Sequence, residues 1–367
     1  MGNAESIQAI PERMKAFYVV QPDPDYNKVK VELKDDVPVP KPKSGQVLIK
    51  VVAAPINPSD YGKWGRALAD GKKFAPVIPG IEGSGLVIQS GGGFIANGQV
   101  GKMVGFVSPE TSGSYCEYVV CDALKNVYPL TQGIRCEDAC SHFVNPYTVY
   151  GFIDTVRRRH KGKGPVGFVH TAAASQVGQM LVKLCKPELE NIVLINVVRR
   201  QDQVEKLKSI GAKHIINTSN DTWEKDLKEK VDELGINVAF DAISGDMSAK
   251  LLTLLPNGGT VFVYGKLSNR ACDGIQMTEL TYKRKKFEGW FLTNWLFENG
   301  KGLGTLSRLN AATAKVHSGL GNGWSSSTFH DCRLDNMWET FLDMRNKSGF
   351  TGRKLRIRFD QEGKDEE

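Results

Sequence analysis

The run GFVHT followed by AAASQVG, residues 167–178, places small residues where a chain turns from a strand into a helix. Backbone N–H groups at such a turn, with the helix dipole behind them, make a cradle for a pyrophosphate. Against the pattern G-x-G-x-x-G, Gly178 keeps the third glycine, whereas Ala173 and Ser175 hold the first two positions. Ala173, Ala174, Ser175, Val177 and Gly178 are candidates for contact with a dinucleotide; the alternative is a plain strand-to-helix turn. A second apolar run, IVLINVV, ends in Arg199 and Arg200. A carboxylate at this strand end would hold the ribose hydroxyls of NAD, whereas a guanidinium offers planar donors to a 2′-phosphate. The pair favours NADPH as cofactor; otherwise the two arginines solvate a helix start. Tyr264 and Gly265 end the run GTVFVYG, a strand end expected on the nicotinamide side of the crevice, where glycine also suits simple punctuation.

Metal and thiol chemistry find little support. His142, His160, His170, His214, His317 and His330 show no H-E-x-x-H or similar spacing, and His170, inside a strand, suits packing better than catalysis. The seven cysteines are odd in number and scattered, which argues against a disulfide framework and for a reducing compartment. Cys136 and Cys140 are a lone pair, and a structural zinc needs four ligands. No metal site is expected.

These residues require a particular set of elements to position them. From Met14 to about Leu130, β-rich runs such as QVLIKVVAA, GSGLVIQ and KMVGFV alternate with Gly and Pro, the pattern of an all-β module, with DDVPVPKPKSG as an extended approach. After about Asp138, apolar strands alternate with helical stretches such as SQVGQMLVKLCK and DQVEKLKSIGA, which predicts an α/β, doubly wound parallel sheet. From about Phe329 come a helix, LDNMWETFLDMRNK, a basic strand, RKLRIRF, and a charged tail expected to be disordered. Length and a 41% hydrophobic content allow two buried cores. The net charge of +7 sits largely in runs such as Arg157 to Lys163, read as solvated faces; no nucleic-acid motif accompanies it, so no nucleic-acid partner is expected. No apolar stretch is long enough for a membrane span and no secretory signal precedes the first strand, so a soluble, cytoplasmic protein is expected. The opening MGNAES fits the acylation pattern of Gly2 with Ser6, which would give weak, reversible membrane association; the alternative is a disordered leader.

In order, the β-module, VNPYTVYGF, AAASQVG, the basic second-strand end and VFVYG resemble the medium-chain dehydrogenase/reductase superfamily across nearly the whole chain. The resemblance implies a GroES-like catalytic domain, residues 1–138 with 326–367 returning to it, and a Rossmann NADPH-binding domain, residues 139–325. The segments INPSDYGKWG and PVIPGIEGSG are similar to those facing the family's cofactor cleft. Its alcohol dehydrogenases place a zinc-binding Cys where this chain has Asn57, and Gly-His-Glu where it reads Gly80-Ile81-Glu82. The implied branch is therefore zinc-free, and its acceptor a quinone, an enone or an enoyl thioester.

FVNPYTVYGF and FEGWFLTNWL look most like the enoyl thioester reductases, yet the Tyr those enzymes carry farther along the first-domain loop is absent after Gly65, where Arg66, Ala67 and Leu68 follow. Tyr61 is the best available phenol to donate a proton or hydrogen bond to the reduced carbonyl; otherwise it is a packed loop aromatic. Asn57 and Asp60 either organise this loop or reach the nicotinamide ribose, and both also suit turn formation. Asn145 and Thr148 resemble residues that approach the nicotinamide, and Phe291 and Leu292 touch cofactor or substrate unless they are plain core. Three functions follow: a quinone or enone reductase, an enoyl-CoA or enoyl-carrier-protein reductase, and a non-catalytic NADPH-binding redox sensor. By the same resemblance a homodimer is expected through the Rossmann sheet edge, at VFVYG and its neighbour.

Overall fold

A computed structural model describes residues 9–65, 74–109, 112–160, 164–298, 303–347 and 352–359. Gly2 and Ser6, the segment Arg66–Leu68 and the charged tail lie outside them. The chain divides into two compact units, residues 1–144 with 326–367, and residues 145–325.

In the first unit the run QVLIKVVAA becomes the strand Gln46–Pro55, buried along most of its length because Val47, Leu48, Ile49 and Val51 pack into one apolar cluster and Ala54 into another. It pairs antiparallel with Glu82–Ser90, Tyr118–Asp122 and Lys354–Arg358. Met103–Val107 and Val127–Pro129 extend the sheet beyond Glu82–Ser90, and Phe329–Arg333 adds in parallel to Lys354–Arg358. A separate antiparallel pair joins Arg13–Gln21 to Lys30–Pro38. Most of Lys30–Pro38 is exposed, so it shows no apolar alternation, and a reading by periodicity takes its second half for an extended approach. Segment 138–144 closes against the sheet through Glu82, whose carboxylate accepts the N–H groups of Phe143 and Val144.

Among the described residues the second unit has a six-stranded, wholly parallel sheet. Its strands run in space His214–Asn217, Val193–Val198, Gly167–His170, Val238–Asp241, Thr260–Val263 and Lys286–Gly289. In sequence that is the order 3-2-1-4-5-6, the doubly wound α/β arrangement the alternating pattern predicts. The helices Gln176–Leu184, Gln201–Ser209, Trp223–Leu234 and Asp246–Leu254 make the crossovers. Val169, Ile195, Ala239 and Val261 on the strands pack with Leu227 and Leu251 on the helices in one apolar cluster. The strand order reverses between Gly167–His170 and Val238–Asp241, and a crevice opens at the carboxyl ends of such strands. Among the described residues no helix is long and apolar enough to cross a membrane.

Candidate active site

At the switch point the chain leaves Gly167–His170 through Ala172, which takes the left-handed conformation (φ 49°), and enters the helix Gln176–Leu184. Ser175 is the N-cap, its hydroxyl accepting the Gly178 N–H at 3.3 Å, and Gln179 donates to the Ala174 carbonyl at 2.9 Å. A Cβ at Gly178 would stand 2.0 Å from the Ala173 carbonyl oxygen, so only glycine allows the helix this close to the turn. Ala173 and Ala174 are buried beneath it and Val177 is half-buried. The turn therefore has the tight approach and forward-facing donors that suit a pyrophosphate.

Strand ends on either side complete the crevice. Asp241, fully buried, accepts the Thr171 hydroxyl at 2.7 Å, the Ile243 and Ser244 N–H groups at 2.9 and 3.0 Å, and the Ser248 hydroxyl at 2.5 Å. That set of bonds fixes the loop beyond the fourth strand. The Tyr264 hydroxyl meets His170 Nε2 at 2.7 Å, with the two rings stacked. Burial pushes His170 down to about 3, so the imidazole is neutral, and burial lifts the Tyr264 phenol above its ordinary range. Gly265 lies against Ala242, whose carbonyl oxygen would be 2.7 Å from an added Cβ, so close packing rather than punctuation demands glycine there. Tyr264, Gly265, Trp290, Phe291 and Asn294 line a cavity of about 360 Å³, with Phe291 60% exposed. Leu292, half-buried, opens the helix Leu292–Phe297 behind it.

Asn145 and Thr148 are both buried on one face of the helix Val144–Arg159, three residues apart. Arg199 and Arg200 follow the second strand directly. The Arg200 guanidinium grips Asp202 at 3.0 and 3.2 Å, whereas Arg199 is exposed and its backbone N–H donates to Gln203. An incoming phosphate would meet Arg199 in the open and Arg200 in competition with Asp202.

In the first unit, NPSDYGKW folds as a short helix, Pro58–Trp64, with Asn57 at its N-cap and Pro58 at the first turn, where a missing N–H costs nothing. Asp60 accepts the Asn57 N–H at 2.8 Å. The Asn57 amide donates to Glu82 at 3.0 Å and accepts from the Lys354 ammonium at 2.7 Å. Asn57, Asp60, Glu82 and Lys354 are all buried, so a carboxylate and an ammonium are joined through one amide. Burial raises Asp60 to about 7, the Asn57 N–H opposing it and Glu82 adding to it, while burial lowers Lys354. Asn57's acceptor and donor atoms are thus both committed, and a zinc ion among them would face the Lys354 ammonium. Among the described residues no three His, Cys, Asp or Glu side chains are grouped to hold a metal.

Tyr61 turns from this network into an aromatic cluster, with ring centroids 6.1 Å from Tyr26, 6.4 Å from Trp64 and 5.4 Å from Phe341. Burial lifts its phenol above the ordinary range. The residues not singled out in the sequence are Lys354, Tyr115, Thr171, Asp241 and Trp290. Tyr115 donates to the Pro55 carbonyl at 3.2 Å in the same buried region as Asp60. Lys354 had a visible signal: it stands in RKLRIRF, a strand whose basic residues are too many for a chain buried on both faces unless they find partners.

Two family models match the chain: the alcohol dehydrogenase GroES-like domain over residues 43–132 and zinc-binding dehydrogenase over residues 176–303. A mitochondrial enoyl-[acyl-carrier-protein] reductase of Caenorhabditis elegans is 28% identical over 270 residues, 72% of this chain and 74% of that protein. Prostaglandin reductase-3 of Mus musculus is 27% identical over 300 residues, 78% of this chain and 74% of that protein. A crystal structure from Mesorhizobium loti, described as a "putative NADPH:quinone reductase", superposes with a TM-score of 0.80 at 28% identity, covering 96% of this chain and all of that one (100%).

Proposed function

The chain belongs to the medium-chain dehydrogenase/reductase superfamily, with its GroES-like and Rossmann folds, and from that premise we propose that it is an NADPH-dependent reductase of quinones or α,β-unsaturated carbonyls that works without zinc. The observation that carries the reading is the buried Lys354–Asn57–Glu82 network, in which Asn57 takes the position where the resemblance puts the alcohol dehydrogenases' zinc-binding Cys. A conjugated acceptor suits such a site, because conjugation already makes its carbon electrophilic and hydrogen-bond donors suffice for the developing oxyanion.

NADPH, when bound, supplies a hydride from the nicotinamide. The residues of this chain divide the remaining work. The turn Ala173–Gly178, with Val177, holds the pyrophosphate, and Arg199 and Arg200 hold the 2′-phosphate. Tyr264, Gly265, Phe291 and Leu292 border the nicotinamide side, with Asn145 and Thr148 toward the carboxamide. Asn57 and Asp60 set the position of the Pro58–Trp64 helix. Tyr61, packed among Tyr26, Trp64 and Phe341 with its phenol kept protonated by burial, steadies the Pro58–Trp64 helix, and the reduced carbonyl oxygen takes its proton from water.

A second reading, an enoyl thioester reductase, rests on FVNPYTVYGF and FEGWFLTNWL and on the similarity to the nematode enoyl-[acyl-carrier-protein] reductase. A purified, chelator-treated sample, given NADPH with a quinone, an alkenal or a crotonyl thioester, separates the two by its preferred acceptor. Turnover of the quinone or alkenal is the expected result. Silence across the panel despite NADPH binding would point instead to a non-catalytic redox sensor, and turnover restored only by zinc would refute the metal-free site. Arg199→Glu with Arg200→Glu should weaken NADPH by about 10- to 100-fold, one charge-assisted bond being worth about 1.5–3 kcal/mol, and leave NADH nearly unchanged.

A further inference from the structure

The sheet of the first unit has two ends of opposite character. At one end lie Pro55, Glu82 and the buried Asn57 network. The other end gathers the start of Gln46–Pro55, the end of Glu82–Ser90, the start of Met103–Val107 and the end of Tyr118–Asp122. Eight residue steps of about 3.3 Å along Glu82–Ser90 separate the two by roughly 26 Å. At this far end Gly45 donates to Gly92 at 2.9 Å and accepts from Ala123 at 3.0 Å, which brings the loop after Ser90 and the loop after Asp122 together.

Large apolar side chains stand out from both loops: Phe94 is 95% exposed, Leu124 70%, and Ile95, Val100 and Met103 between 42% and 45%. Phe94 is not on a frayed segment. Its helical turn, Phe94–Asn97, is tied down by buried Ala96, by the Ser90 hydroxyl donating to Asn97 at 2.8 Å, and by Gly92 donating to Ser90 at 3.0 Å. Lys41, Lys43, Lys102 and Lys125 are exposed around these residues. Within segments 39–47, 90–104 and 121–130, Asp122 is the sole acidic side chain.

We propose that this end of the sheet docks on an anionic lipid bilayer. Fixed, protruding apolar side chains among lysines of one sign match an interface where apolar groups enter the acyl boundary and ammonium groups remain with the headgroups. A protein partner is the weaker fit, because lysine is depleted from protein–protein interfaces and their anchors are chiefly Tyr, Trp and Arg, none of which projects here except Tyr128 at the margin. The surface lies at the opposite end of the sheet from the Asn57 network, so docking leaves that end of the unit clear of the bilayer.

The test is co-sedimentation of the full chain, carrying Gly2→Ala to remove the acyl acceptor, with vesicles of phosphatidylcholine alone or with added phosphatidylserine. Binding should require phosphatidylserine and fall with salt. Phe94→Ser should weaken it at least about tenfold, and Lys102→Gln with Lys125→Gln roughly 25-fold, about fivefold per lysine. Both variants change exposed side chains, so an unaltered melting temperature checks that they fold. Absence of binding to the anionic vesicles overturns the proposal, as does equal binding by folded variants. Retention on polyglutamate as strong as on the vesicles assigns the surface to an acidic protein instead.

Discussion

Asp60 shows what burial costs a single residue in this fold. Its carboxylate receives one backbone N–H from Asn57, and Glu82 is close enough to oppose its ionisation. The folded-state value of about 7 therefore lies above the unfolded one of 3.8. Between these limits the native state binds the more protons, so Asp60's contribution to stability is full below about pH 4 and is lost as pH rises toward 7. Asp60→Asn keeps an acceptor for the Asn57 N–H and removes the titration. Thermal unfolding followed across pH 4 to 7 should show a stability slope on the order of 1.4 kcal/mol per pH unit at most in the parent, reduced in the variant. An identical slope in both would assign the titration to another group.

At the scale of elements, the strand–turn–helix at 167–184 is held together by one missing side chain. Gly178→Ala places a methyl 2.0 Å from the Ala173 carbonyl, and because that atom is backbone the helix must move rather than a rotamer. The expected outcome is a loss of about 1–3 kcal/mol in stability and weakened dinucleotide binding measured by calorimetry; retention of both would show that the turn relaxes without cost. This element was legible in the sequence because strand, small residues, glycine and amphipathic helix stand in fixed order. Five strands of the second unit's sheet were legible for the same reason, being short apolar runs divided by helices of regular period; the sixth, Lys286–Gly289, reads KFEG, half-buried or exposed, and shows no apolar run. The Asn57 network was only half legible. Asn57 and Asp60 stand in one recognisable segment, but their partner Lys354 is 297 residues away from Asn57, and no local pattern reports which buried charges a sheet brings together. Tyr61 had two readings in the sequence, donor or packed aromatic, and they differ only through Tyr26 and Phe341, which come from distant segments. Lys30–Pro38 was hidden because an exposed strand need not alternate.

At the scale of the whole molecule, the Rossmann sheet ends on Lys286–Gly289, since the VFVYG strand has neighbours on both sides. The Lys286 and Trp290 N–H groups point inward to the Gly259 and Val263 carbonyls, so by alternation those of Phe287 and Gly289 point outward, unpaired by any described strand. An edge of this kind is a template for pairing with a second copy, and a two-fold axis through it makes a closed dimer without a further open edge. Light scattering on the eluted protein should therefore give twice the 40.4 kDa of one chain. Gly289→Pro removes an outward donor but no bond to the neighbouring strand, and a Cβ at this position meets no atom within 4 Å. It should shift the equilibrium to monomer while leaving the melting curve of the single chain intact. A parent protein that elutes only as monomer at micromolar concentration would remove the edge as a dimer contact, and a Gly289→Pro protein that stays dimeric would move the contact to another face.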